Sequence, residues 1–557
     1  MTDSADEKAT WERHYPPGLK RTTPSARPLW TLLEDAARDH ADCTHLSFRG
    51  RSWTFAESAR IVSRIAGGLH ALGVEAGDRV GLNMTNLPTY PLLCFALWRL
   101  GAVGVGLNPA YSIRQLANNA GDAGVSLIVA SDDPEQQPRA STLAAQTGAK
   151  LILCRDDASD LIERDPAAAP PSADTLAGLI AAAPRAGRPL DSASLAMIQY
   201  TGGTSGAPKG AMITHGSIWH ATHQMRNWQH RLRDGREAWY AAAPMTHIAG
   251  LIHFVALPVL AAGEVVLTER FSVDELIALV GARRITMLTA VPTMVSAIAA
   301  HPDVASVDWR GVSHVMGGGA SLAPELARTF HALTGLHVQM GYAMTETSCG
   351  GAAMPAEGIE GHESGTGVPV PGMQIEIRRV GAPGETVAHD EVGEICLGGP
   401  AMFTGYWGRE LDPNETTPDG LFRSGDLGRI TPDGVLYVID RIKDVIICSG
   451  YKVYPGVVEH AVLEHSAVLE AVAVGMPDAY RGETVIVVAA LRAGTALTLV
   501  ELQDFLRERL SAMETPKRLV LLPMLPKTEN GKLSRHLVRA ALAELSKTTG
   551  QEPNDAG

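Results

Sequence analysis

Residues 79–109 read RVGLNMTNLPTYPLLCFALWRLGAVGVGLNP. Two short β-rich runs, RVGLNM (79–84) and AVGVGLNP (102–109), flank an apolar segment around Leu92 to Leu100 that has the length of a helix. Strand, helix and strand in that order predict a βαβ unit, whose two strands lie parallel in one sheet. Upstream, TFAE (54–57) forms a capping box that opens a helix with apolar positions Ile61, Ile65, Leu69 and Leu72, ended by Gly73. Downstream, the alternation resumes through EVVLTER (264–270), the helical SVDELIALVGA (272–282), ITMLTA (285–290) and VSHVMGGG (312–319). The expected fold class is therefore α/β.

From about residue 365 the texture changes to short strands with turn chemistry, as in TPDGVLYVIDR (431–441), where Pro432, Asp433 and Gly434 suit a hairpin. After Arg441 the order is mixed: VLEAVAVG and ETVIVVAAL read as strands, and TLVE (498–501) caps a helix through Leu510. This predicts a large domain over 1–440 and a small α+β domain over 441–557. Pro and Ala crowd 166–190, which reads as a surface connection.

The whole-chain quantities narrow the function classes. A length of 557 residues calls for more than one core, and 45% hydrophobic with 20% charged residues is the composition of a globular enzyme. A net charge of −13 argues against a general attraction to nucleic acid or anionic lipid. The six cysteines lie far apart with no CxxC pair, so a reducing, cytoplasmic setting is expected and a zinc ribbon is not. The N-terminal residues have no apolar h-region, and the most apolar stretch, LIHFVALPVLAA (251–262), is broken by His253 and Pro258. No transmembrane segment is expected.

The segment YTGGTSGAPKG (200–210) holds four glycines, three hydroxyl side chains if tyrosine is set aside, and one lysine. Such a loop aims backbone N–H groups, hydroxyls and a full positive charge at one point, which suits a polyphosphate. It is not a Walker A loop, because Lys209 follows Pro208 and precedes Gly210. Four further segments accompany it: PMTHIAG (244–250), GYAMTET (341–347), GLFRSGDLG (420–428) with DRIKDVIICSGYKVYP (440–455), and PKTENGKLSR (526–535).

In this order the segments resemble the adenylate-forming (ANL) superfamily of acyl-CoA synthetases, nonribosomal adenylation domains and luciferases, over about residues 12–545. WERHYPPG near the start, GGGASLAP (317–324) and SGTGVPVPG (364–372) are most similar to bacterial medium- and long-chain fatty-acyl-CoA ligases. The resemblance implies a large N-terminal domain with a small β-barrel-like part, and a mobile C-terminal domain that carries the catalytic lysine. It implies ATP, Mg²⁺ and coenzyme A with a small-molecule carboxylate, an acyl-AMP intermediate, and release of AMP and pyrophosphate. A homodimer is left open, and no nucleic acid is involved.

Residue by residue, the resemblance implies that Thr201, Gly202, Gly203, Thr204, Ser205, Gly206 and Lys209 hold the triphosphate. Glu346 is the magnesium carboxylate, and Thr345 meets the α-phosphate. Gly318, Gly319, Ala320, Gly341 and Tyr342 form the adenine site. Asp426 accepts the ribose hydroxyls, with Arg441 beside it. Lys532 bridges carboxylate and α-phosphate, whereas Lys527 in the same motif is a decoy. His247 gates the path between carboxylate and thiol, with a satisfied core histidine as the alternative. Lys443 is the hinge, and Ser449, Gly450 and Tyr451 line the CoA path, where a side chain at Gly450 would obstruct the pantetheine arm.

The acid itself is less legible. Small residues in TSCGGAAMP (347–355) leave room for an alkyl chain, and Leu251 stands where some relatives carry an aromatic gate. A dicarboxylate would need a second cation, for which Arg226 is the candidate. The alternatives are a ligase for an aromatic or dicarboxylic acid, or a protein that loads a separate carrier or performs one half-reaction. His215, His220 and His223 are spaced like ligands on a helix, but with no cysteine or HExxH beside them a zinc site is not expected.

Overall fold

The computed structural model describes residues 10–162, 172, 174–201, 208–268, 270–319, 322–478, 481–527 and 533–549, the side chains of 546–549 excepted. The chain divides into two compact units. The first comprises residues 1–318, 326–375 and 397–416; the second comprises 319–325, 376–396 and 417–557.

The βαβ unit expected at 79–109 is present. Strand Arg79–Asn83 and strand Val103–Gly106 pair in parallel on either side of helix Thr89–Leu100. Every residue of that helix except Arg99 is buried, which explains a sequence that is apolar all round instead of on one stripe. Gly101, in the left-handed region at φ 75°, ends it. These strands belong to a six-stranded sheet in the order Lys150–Cys154, Leu127–Ser131, Arg79–Asn83, Val103–Gly106, Leu195–Thr201, Lys209–Thr214. The first five run parallel and the last turns back antiparallel.

A nine-stranded sheet completes the framework of the first unit. Its order is Val368–Pro369, Gly351–Ala353, Val338–Ala343, His314–Gly317, Met287–Ala290, Ala238–Ala241, Glu264–Leu267, Thr44–Phe48, Arg51–Thr54. The central six strands are parallel and the edges antiparallel. The capping box at Thr54 forms as expected: the Glu57 backbone N–H donates to Thr54 Oγ1 at 3.2 Å, and the Thr54 N–H donates to Glu57 Oε2 at 2.8 Å. It opens helix Phe55–Ala71.

One reading is corrected in this unit. The Pro/Ala stretch is not only a surface connection, because residues Leu176–Ile180 form a helix with Leu176, Ala177 and Leu179 buried. Contact is possible because Gly67 and Gly68 lack side chains: a Cβ on Gly68 would lie 2.5 Å from Leu179 Cα. The stretch 251–262, broken as an apolar run by His253 and Pro258, is largely helical: Leu251–Ala256 is a π-helix that passes directly into helix Leu257–Leu260. The wider π turn keeps all six residues of Leu251–Ala256 buried, His253 included.

The second unit holds two sheets. The barrel-like part is five-stranded, ordered Ala382–Thr386, Gln374–Arg379, Gly393–Gly398, Phe422–Ile430, Leu436–Arg441. The TPDG hairpin closes its last two strands, with the Thr431 N–H donating to Val435 O at 3.0 Å and Gly434 at φ 90°. The other sheet is built on the long antiparallel pair Val468–Asp478 and Gly482–Leu491. One face of that pair (Ala471, Ala473, Val485, Val487, Ala489) packs with Val458, Val462, Leu502 and Leu506. The other face (Val472, Val474, Ile486, Val488, Ala490) packs with Val538 and Leu542. Burial on both faces explains why these strands are hydrophobic throughout instead of alternating. The capping box at Thr498 opens helix Leu499–Leu506, which stops before Leu510; Leu510 returns to the same core from the turn that follows.

Candidate active site

In the first unit, the glycine-rich segment lies between two strands that pair antiparallel. Thr201 ends strand Leu195–Thr201, Lys209 begins strand Lys209–Thr214, and the two are cross-strand partners. Gly202, Gly203, Thr204, Ser205 and Gly206 lie outside the described residues. The Lys209 ammonium is 3.0 Å from Glu415 Oε1 and stands 5.0 Å from the centroid of the Tyr406 ring. Glu415 also accepts from the Arg409 guanidinium at 2.7 and 2.8 Å and from the Asp412 N–H at 2.9 Å. These bonds, Arg409 foremost, hold its carboxyl down to about 2.

The Tyr406 hydroxyl donates to Glu346 Oε1 at 2.6 Å. Burial, reinforced by the Glu346 charge, pushes the phenol up and keeps it a donor. Glu346 is 5% exposed and sits in the 3-10 turn Thr345–Thr347 that follows strand Val338–Ala343. The turn is fastened on both sides: the Phe403 N–H donates to Glu346 O at 2.7 Å, and the Met344 N–H donates to Thr347 Oγ1 at 3.1 Å. Ser348 and Cys349 follow in the left-handed region at φ 49° and 70°, a sparsely populated conformation for two consecutive non-glycine residues.

The structure therefore brings together Thr201, Lys209 and Glu346, and adds Tyr406, Arg409 and Glu415, which sequence reasoning missed. The added residues come from the segment between strands Gly393–Gly398 and Phe422–Ile430, anchored by the Trp407 N–H on Gly210 O at 2.7 Å and by Trp407 Nε1 on Asp122 O at 3.1 Å. Tyr200 donates to the Asp122 side chain at 2.6 Å and ties the same corner.

Tyr342, 8% exposed, and Gly341 lie at the end of strand Val338–Ala343. At Gly317 a Cβ would collide with Val338 Cγ1 at 2.6 Å and Met340 Sδ at 2.7 Å, so packing demands glycine there. At Gly318 it would meet, among the described residues, nothing closer than Gly341 O at 3.7 Å, so packing against them does not account for that glycine. His247 caps the short helix Ile248–Gly250 and lies 3.4 Å from Asn108 through Nε2.

In the second unit, Asp426 and Arg441 face each other across strands Phe422–Ile430 and Leu436–Arg441, with Arg441 Nε 3.2 Å from Asp426 Oδ1. The Asp426 N–H donates to Ser424 Oγ at 3.0 Å, and Ser424 Oγ donates to Ile395 O at 2.7 Å. Gly319 belongs to this unit and is left-handed at φ 80°; Ala320 lies outside the described residues. Lys443 sits in the 3-10 turn Ile442–Asp444 directly after Arg441.

Ser449 and Gly450, at φ 52° and 81°, join strands Ile446–Cys448 and Tyr451–Val453 in a two-residue hairpin, and Cys448 pairs with Tyr451. Two successive positive φ values are what the tight primed turns require, so the turn by itself accounts for Gly450. A Cβ there would meet nothing within 4 Å among the described residues, and Tyr451 is 63% exposed.

Lys532 lies outside the described residues. Its flanking residues Lys527 and Leu533 form a β-bridge, and Lys527 Nζ pairs with Glu470 Oε1 at 2.5 Å, a structural role that fits the decoy reading. Arg535 donates to Glu459 at 2.7 and 2.9 Å, to Asp440 at 2.5 Å and to Asp444 at 3.3 Å.

The helix His215–Trp228 uses its histidines structurally. His215 Nδ1 accepts from the Leu29 N–H at 3.1 Å and burial pushes the ring down to about 4; His220 Nδ1 bonds Thr23 Oγ1 at 2.6 Å; His223 Nδ1 bonds Trp219 O at 2.9 Å. Among the described residues no group of His, Cys, Asp or Glu could hold a metal by itself. Arg226 pairs with Asp234 at 2.7 Å.

Comparison with known proteins fits this geometry. Residues 33–407 match the model of AMP-binding enzymes, and residues 457–532 match that of the AMP-binding enzyme C-terminal domain. A feruloyl-CoA synthase from Amycolatopsis is 33% identical over 92% of this chain and 98% of its own. A long-chain-fatty-acid–CoA ligase from Bacillus subtilis is 30% identical over 94% of this chain and 96% of its own. ATP-bound MatB from Rhodopseudomonas palustris superposes with a TM-score of 0.82 at 26% identity, covering 93% of this chain and 99% of that one. The chain belongs to the AMP-binding enzymes of the adenylate-forming superfamily, in the class of AMP-forming acyl-CoA synthetases. No helix among the described residues is long and apolar enough to cross a membrane.

Proposed function

We propose that the protein activates a medium- or long-chain fatty acid with ATP as its acyl adenylate and then transfers the acyl group to coenzyme A. The observation that carries this reading is the joined set Lys209, Tyr406 and Glu346 at the glycine-rich hairpin, a lysine and a buried carboxylate linked through one phenol. A buried ionised carboxylate in a protein is costly unless it is hydrogen-bonded or meets a cation, and a single carboxylate with substrate phosphates is a common way to hold Mg²⁺. Glu346 fits that role, and Mg²⁺ when bound would screen the triphosphate charge.

The chain's own residues do the rest. Lys209 and Thr201 bind phosphate oxygens; Gly318 and Tyr342 receive adenine; Asp426, held beside Arg441, accepts from the ribose hydroxyls. Thr345 and Lys532 hold the carboxylate oxygen against the α-phosphorus, where positioning and electrostatics supply most of the rate. Pyrophosphate leaves first. The C-terminal part then turns about Lys443 so that Ser449, Gly450 and Tyr451 guide the thiol past His247, and AMP leaves. We place the enzyme in the cytoplasm, a reducing setting that suits six free cysteines.

The buried apolar run Leu251–Ala256 just beyond His247 supports an acid with an apolar tail, and the engagement of Arg226 with Asp234 counts against a dicarboxylate. The feruloyl-CoA synthase relative favours an aromatic acid as the second reading. The test is pyrophosphate release from a panel of short, medium, long, aromatic and dicarboxylic acids, with and without CoA. Preference for fatty acids with a CoA-dependent product supports the proposal; preference for cinnamic-type acids replaces the acid, and release indifferent to CoA replaces the acceptor.

A further inference from the structure

We propose that Tyr406 is a positioning residue that sets Glu346 for the metal–nucleotide, and that Glu415 is the resting partner of Lys209, displaced by the triphosphate. The inference rests on the nucleotide reading above and concerns three residues that it leaves without a task.

Tyr406 meets Lys209 of the hairpin and Glu346 of the 3-10 turn with different parts of one side chain. Its hydroxyl gives Glu346 Oε1 a 2.6 Å bond, the short charge-assisted type that fixes a carboxylate in one orientation. Its ring faces the Lys209 ammonium at 5.0 Å and the Arg409 guanidinium at 4.5 Å. The backbone enforces this placement, because Tyr406 bridges to Ala211, two residues after Lys209. A shift of the segment would thus move the lysine partner and the carboxylate partner together.

Glu415 is built to release one cation and keep the other. Arg409 supplies two bonds to its carboxylate and the Asp412 N–H a third, so it stays satisfied without Lys209. Lys209 is half-exposed and makes one contact to it, a pair of the weak surface kind. A triphosphate offers the ammonium several oxygens of higher charge at the same mouth. Exchange of Glu415 for phosphate therefore leaves no charge unpaired on either side.

The experiment measures two affinities of the full-length protein: for ATP in EDTA, by calorimetry, and for Mn²⁺ in the presence of ATP, by the paramagnetic resonance signal of free Mn²⁺. Tyr406→Phe keeps the ring and removes the hydroxyl. It is expected to weaken Mn²⁺ binding about tenfold while ATP binding in EDTA stays within about twofold of wild type. Glu415→Gln is expected to tighten ATP binding in EDTA by about threefold, because the competitor for Lys209 is gone. Equal loss of both affinities in Tyr406→Phe, or no loss, overturns the positioning role; unchanged or weakened ATP binding in Glu415→Gln overturns the displacement. If wild type itself binds no ATP, it is the nucleotide reading that fails.

Discussion

Two arginine-centred ion clusters in this molecule have opposite designs. At the glycine-rich hairpin, Arg409 and Lys209 share Glu415, and the lysine side chain is 50% exposed. In the second unit, Arg535, only 19% exposed, gathers Asp440, Asp444 and Glu459, whose side chains are 0%, 13% and 18% exposed. The first cluster is open to water at Lys209, as its proposed exchange of Glu415 for phosphate requires. The second is dry: it ties the end of strand Leu436–Arg441, the turn at Lys443 and helix Pro455–Leu463 to the start of helix Arg535–Thr549. Solvent access therefore separates a binding device from a scaffold, although both are made of the same residue types.

The largest effect should come from the dry cluster. Arg535→Met removes the cation shared by Asp440, Asp444 and Glu459, of which, among the described residues, only Asp444 keeps a second, distant one in Arg539, and is expected to cost about 3–5 kcal/mol of unfolding free energy. Denaturant unfolding followed in the second unit measures it, and a loss below about 1 kcal/mol would break the distinction. Three residues earlier, Lys532→Ala should do the reverse. We expect adenylation to fall by about 100-fold or more with stability unchanged, while thioester formation from supplied acyl adenylate is nearly intact. Equal loss in the two half-reactions would contradict its assignment.

At the wet cluster the stability effects are small. Glu415→Gln should change unfolding free energy by less than about 1 kcal/mol despite its three charged and polar partners, because water at this exposed pair screens the gain that the depressed carboxyl alone would imply. Its pH signature is also definite. The folded carboxyl is held down to about 2 from an ordinary value of 4.5. A depressed acid adds stability above its unfolded value and loses it as pH falls toward the folded one. The difference between wild type and Glu415→Gln should therefore be flat from neutral pH down to about 4.5 and shrink below it. A difference that grows on acidification would show that Glu415 is not held by cations. A purely local change, Thr498→Ala, removes a capping box and should cost about 1 kcal/mol in the second unit alone, read by the same denaturant unfolding.

Local rules were legible residue by residue. Thr54 with Glu57, Thr498 with Glu501, and Thr431 through Gly434 each act within three or four positions, and each forms the cap or hairpin that its pattern implies. Readings failed where a partner lay far away. The Pro/Ala stretch conceals helix Leu176–Ile180 because its packing depends on Gly67 and Gly68, more than 100 positions upstream. Tyr406 gave no signal because its partner Glu346 is 60 residues distant and Lys209 nearly 200. At Gly450 the left-handed turn with Ser449, set by the backbone of the hairpin, supplies a reason for glycine that needs no ligand.

The sequence by itself determined the α/β class, the two-part organisation and the chemistry of the family, since periodicity, caps and motif residues are properties of short stretches. Only the tertiary structure decided which carboxylate meets which cation and whether water reaches the pair. Those depend on chain segments brought together from hundreds of residues apart, and the strength of a charge pair is set by the burial that this assembly creates.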